Sequence, residues 1–224
     1  MATMPATSTP RHPAHDALLD RWTDLLRRNQ SPSSPDPVAY GENLLTRWAE
    51  PHRRYHTTEH LLAVLDRAQQ LATYADHPDA VLFAAWFHDA VYRPDRSENE
   101  ERSAGLAERA LTEAGVDEAL VAEVARLVRL TADHDPAPGD RGGEVLCDAD
   151  LAVLAGSPQE YAEYAAAVRE EYAFVPENAF RTGRAEILRQ LLALQRIFHT
   201  PYGEQHWEHT ARRNLATELD LLSA

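Results

Sequence analysis

The segment AVLFAAWFHDAVY, residues 80–92, is apolar at every position except His88 and Asp89. Pro78 stands just before it. A helix that is apolar on all sides belongs in the middle of a fold, enclosed by other elements. No apolar run in the chain reaches the roughly 20 residues needed to cross a bilayer, so the enclosure has to come from protein.

The flanking sequence supplies amphipathic helices for that purpose. Leu18, Leu19, Trp22, Leu25 and Leu26 follow the i, i+3, i+4, i+7 spacing of a helix with one buried face. SPSSPDP (Ser31–Pro37) ends that run. A second helix carries Tyr40, Leu44, Leu45 and Trp48 before Pro51. A third, with Thr57 or Thr58 as N-cap, turns Leu61, Leu62, Leu65 and Ala68 inward. Beyond the central segment, Ser97 and Glu100 read as a capping box for a helix that stops near Gly115. Asp117 caps the next, through Val124, Leu127 and Val128. A polar loop, His134 to Gly143, leads into LCDADLAVLAG. Ser157-Pro158 with Glu160 starts another helix, and two more are expected over Glu186–Phe198 and Glu204–Leu222. No strand pair, repeat or long linker interrupts the pattern. The expectation is an all-α protein: one helical domain of nine or ten helices over residues 15–224, behind a disordered tail, 1–14.

With 44% hydrophobic residues the chain of 224 is globular rather than disordered. Its net charge of −14 argues against general nucleic-acid or membrane-surface binding, which needs a basic footprint. A small phosphorylated substrate stays open, because local arginines or a metal can override the global field. The N-terminus has no apolar core of a secretory signal. The single cysteine, Cys147, leaves no internal disulfide and fits a reducing, cytoplasmic setting.

Three segments carry candidate chemistry. In YHTTEH, His56 and His60 are four apart, so a helix places both on one face; the alternative is an ordinary solvated helix start. His88-Asp89 lies in the buried helix, where a carboxylate needs a partner. A cation bound by imidazole and carboxylate is one such partner, and a His–Asp hydrogen bond is another. In LCDADL, Asp148 reads as an N-cap, whereas Asp150 is followed by Leu151, Val153 and Leu154 and sits inside a helix.

Taken together, these segments resemble the HD superfamily of metal-dependent phosphohydrolases, over about residues 40–220. The order is H…HD…D, YHTTEH resembles the Tyr-His-x-x-x-His segment of several branches, and CDADL resembles the context of the last ligand. FHDAVY, NEERSA and the late RxNL are similar to a small branch of predicted hydrolases. The resemblance implies a phosphodiesterase-like helical fold with His60, His88, Asp89 and Asp150 as ligands to a divalent metal, Mn, Fe, Co, Ni, Zn or Mg. Asp148 replaces Asp150 if the register shifts by two. The resemblance also implies His56 as the acid that protonates a leaving group and offers Glu100 as a catalytic carboxylate; Asp89 can take the proton of a metal-activated water. His134 is the candidate for a second metal. Arg53 and Arg54, and Arg181 and Arg184 around Gly183, are candidate phosphate partners. The expected activity is hydrolysis of a small phosphoester, nucleotides included. A metal- or ligand-binding module without turnover and an iron oxygenase are the alternatives.

Overall fold

The computed structural model describes residues 11–223. Among them are eleven α-helices and no strand: α1 His15–Asn29, α2 Pro37–Trp48, α3 Thr58–Gln70, α4 Pro78–Phe87, α5 Asn99–Glu113, α6 Glu118–Leu130, α7 Arg141–Leu151, α8 Pro158–Glu171, α9 Glu177–Ala193, α10 Pro201–His206 and α11 Glu208–Ser223. None is long and apolar enough to cross a membrane.

The central helix is α4, as its composition demands. Phe83, Ala84, Ala85, Trp86 and Phe87 are all buried, and α1, α3, α5, α6 and α7 pack around it. Trp22 of α1 meets Phe83, Trp86 and Phe87 edge-on, with ring centroids 5.4–5.9 Å apart, the arrangement aromatic quadrupoles favour. Trp48 of α2 donates its indole N–H to Trp86 O at 3.1 Å. Its ring lies 5.4 Å from that of His88, so the core ends against the candidate site.

Several local expectations change. The Ser157–Glu160 capping box forms, and Asp117 caps α6. The Ser97–Glu100 box does not: α5 begins at Asn99 without a side-chain cap. The Asn99 amide is instead buried, accepting from Arg93 N and donating to the Arg93 and Arg96 carbonyls. The expected Glu186–Phe198 helix runs earlier, as α9, and the C-terminal helix is split into α10 and α11 at Trp207. Of the expected tail, residues 1–10 lie outside the described residues, and the rest is tethered: His12 Nε2 is 2.7 Å from a Glu59 carboxylate oxygen.

Candidate metal centre

Helix α4 stops at Phe87, so His88 is its C-cap residue and Asp89 lies in the following turn. The sequence had placed both inside the helix. The turn is stable because its carbonyls find a donor outside the helix. Arg53, wholly buried at its side chain, donates to Asp89 O and His56 O, both at 2.9 Å, and to Ala90 O at 3.5 Å. Its guanidinium also lies over the rings of Trp48 and Tyr92. Arg53 thus ties the YHTTEH turn to the His-Asp turn.

On this support, His60 from the first turn of α3, His88 and Asp150 from the end of α7 converge. His60 Nε2 is 3.3 Å from His88 Nε2 and 3.1 Å from Asp150 Oδ1. His88 Nε2 is 3.6 Å from the same oxygen. Two ligands bonded to one ion at about 2.0–2.2 Å sit roughly 3–3.5 Å apart, so these spacings fit a shared cation. The ring chemistry fits as well. His88 Nδ1 lies 2.9 Å from Ala85 O, and donation there leaves Nε2 as the free lone pair in the neutral ring. The buried His60, His88 and Asp150 can therefore hold a metal ion. Asp89 flanks them, with Oδ2 3.4 Å from His88 Nε2.

Helix phase separates the two aspartates of CDADL. Both lie inside α7, whose N-cap is Asp140, so Asp148 does not cap its own helix. Two residues apart on a helix means about 200° of rotation, and they face opposite ways. Asp150 meets the histidines. Asp148 is fully buried and accepts from His199 N at 2.7 Å, Thr200 N at 2.8 Å and Thr200 Oγ1 at 2.6 Å. Thr200 in turn caps α10. A Cβ on Gly203 would come 2.5 Å from that carboxylate, so glycine is needed for the close approach.

His56 precedes α3 rather than lying on it, yet its ring centroid is 5.6 Å from that of His60. Its Nδ1 is 2.5 Å from Glu171 Oε1, and its Nε2 is 3.8 Å from Asp89 Oδ2. Burial lowers the His56 pKa, but Asp89 and Glu171 outweigh it and the net shift is upward. Glu171, buried at the end of α8, also takes backbone N–H groups of Arg54, Tyr55 and His56 and the Tyr92 hydroxyl. Burial raises its carboxyl, but His56 and these donors hold it down at about 2. Sequence reasoning missed Glu171. The signal was there: it continues the inward face of Tyr161, Tyr164 and Val168 on α8, where a carboxylate has no reason to be without a partner.

The other candidates divide between the cluster and the rest of the protein. His134, the one non-glycine described residue with positive φ, puts Nε2 2.8 Å from the second oxygen of Asp150. Glu100 is half-buried at the start of α5. Arg54 pairs with Glu170. Arg181 holds the Leu221 and Leu222 carbonyls, and Arg184 forms a two-point pair with Glu218. Gly183 is within α9, so the expected flexible phosphate clamp is a helix. With Arg53 serving the turn, the four arginines are all engaged within the protein. A guanidinium that the sequence reading passed over, Arg67, stands in the wall of a cavity of about 290 Å³ that touches His60 and Asp150. Comparison with protein-family models, with curated proteins and with solved structures finds no match for this chain.

Proposed function

We propose that this protein is a metal-dependent phosphohydrolase acting on a small phosphoester. The observation that carries the reading is the His60–His88–Asp150 cluster, with ligand-like spacings of 3.1–3.6 Å, flanked by a carboxylate and by a histidine that is not part of it. A divalent cation in such a site supplies Lewis acidity and lowers the pKa of water. In this reading Asp89, with Oδ2 3.4 Å from His88 Nε2, takes the proton of the attacking water. Glu171 orients His56 through Nδ1, so Nε2 is the nitrogen that gives its proton to the departing oxygen. The water oxygen bonds to phosphorus as the ester P–O bond breaks, and the products are an alcohol and inorganic phosphate. Asp89 and His56, 3.8 Å apart, can then return the proton between them. Tyr92 and the three backbone donors on Glu171 keep that carboxylate charged and stationary.

A binding module without turnover needs neither an oriented histidine nor a buried carboxylate behind it, and the His56–Glu171 pair favours the enzyme. The test is elemental analysis of the purified protein, then a phosphoester panel with Mn²⁺, Co²⁺, Ni²⁺, Zn²⁺ and Mg²⁺. The expected result is about one metal per chain and turnover that chelation abolishes. A protein that binds metal stoichiometrically and hydrolyses nothing on the panel would favour the binding module.

A further inference from the structure

A second cavity, of about 320 Å³, borders His56 on the side of α8 and α9. It has no part in the proton transfers above. An apolar cavity of about 150 Å³ holds one benzene ring, so this one has room for roughly two. Tyr55, Tyr164, Tyr172 and Phe180 line it with Val168 and Ile187. Its two cationic side chains are already matched within the protein: His56 by Glu171 and Arg184 by Glu218. The wall thus offers aromatic faces and no uncommitted charge. Ile187 is half exposed, which leaves the rim open to solvent.

Gly183 adds an independent observation. It lies in the middle of α9, where glycine costs about 1 kcal/mol relative to alanine. Crowding does not explain it, because a Cβ there would meet nothing within 4 Å. Its φ is not in the left-handed region either. Gly183 is exposed and stands in the α9 wall of the cavity, so a larger side chain has room at this point of the wall.

We infer that the cavity receives the leaving group of the substrate, and that this group is aromatic, uncharged and no larger than about two fused rings. The inference rests on the phosphohydrolase reading. His56 is the residue that the cavity shares with the site, its Nε2 lying 3.8 Å from Asp89 Oδ2, and a substrate that passes it would have its phosphate towards the metal cluster and its aromatic group in the cavity. Nucleoside diphosphates and other leaving groups with several charges would find no free cation in the wall.

Calorimetric titration of the full-length, metal-loaded protein with 1-naphthol, which carries no phosphate, tests the site directly. The wild type should bind it, and Gly183→Leu, which sets a bulky side chain in the cavity wall, should bind at least tenfold more weakly with its metal content unchanged. Gly183→Leu should melt no lower than wild type, since leucine suits a helix better. If it fails to fold, Ile187→Glu places a charge at the exposed rim and should weaken binding similarly. In turnover, 2-(1-naphthyl)ethyl phosphate and ethyl phosphate release alkoxides of comparable basicity. The former should have a KM at least tenfold lower, and Gly183→Leu should erase the difference. Naphthol binding with no phosphoester turned over would keep the aromatic site and sink the phosphohydrolase reading. Turnover without naphthol binding, or binding indifferent to Gly183→Leu and to Ile187→Glu, would overturn the inference and leave that reading standing. A dimer that these substitutions dissociate, with no naphthol bound, would assign the cavity to a second copy of the chain and overturn it too.

Discussion

Replacing Asp148 by alanine should unfold the protein more easily without touching its metal. The carboxylate accepts three hydrogen bonds from the His199–Thr200 turn, and both Asp148 and Thr200 are fully buried. Hydrogen bonds to a charged group are worth about 1.5–3 kcal/mol each. Their sum overstates the loss. Burial pushes the Asp148 carboxyl up to about 6 in spite of its donors, so the ionised group is itself held at a cost that the substitution removes. A net loss of about 3–4 kcal/mol is the consistent figure, well above the roughly 1 kcal/mol of a simple helix cap. For a domain of this length it lowers Tm by roughly 10 °C. Thermal unfolding followed by circular dichroism, with elemental analysis of the same samples, reads both quantities. Asp150→Ala is the paired comparison: it should lose the metal, which Asp148→Ala should keep. A Tm change under about 3 °C for Asp148→Ala would refute the structural role. Loss of metal from Asp148→Ala with retention in Asp150→Ala would refute the helix phase on which the whole site depends.

His56→Ala should retain metal and slow turnover by about 10²–10⁴-fold, the usual worth of a general acid; the loss should be smaller on a nitrophenyl ester, whose leaving group departs without a proton, and equal losses on both would reduce His56 to positioning. Glu171→Gln removes a charge that raises the His56 pKa, so the protonated acid is lost at lower pH and the alkaline limb of the rate profile should move down, with metal content unchanged; an unmoved limb would argue against proton donation by His56. Burial lowers the His88 pKa, but Asp89 and Asp150 raise it to about 9 in the metal-free protein, so a cation must displace its proton at neutral pH. Apparent metal affinity should therefore rise about tenfold per pH unit from 7 towards 9, and a flat dependence in competition titrations would exclude His88 Nε2 as a ligand. Arg67→Ala should raise KM with little change in kcat if Arg67 attracts the phosphate, and unaltered kinetics would place it outside the site.

The sequence by itself determined the secondary structure class and the centre of the fold, because helical periodicity and all-round apolarity act locally. A segment such as 80–87 has no stable place but the middle of a helical domain. The family resemblance carried by YHTTEH, the His-Asp pair and CDADL pointed to His60, His88, Asp89 and Asp150, with Asp148 left open; of these, His60, His88 and Asp150 meet as one cluster. Only the tertiary structure decided what each polar side chain does, since that depends on which unsatisfied group lies opposite. Arg53 looks like a phosphate ligand in sequence, but three carbonyls of two turns claim it. Asp148 and Asp150 have similar local contexts, and α7 must be docked before its phase sends one to the histidines and the other to Thr200. Glu171 lies 115 residues from His56. No local pattern links two such positions, and their pairing exists only because α8 folds back against the turn before α3.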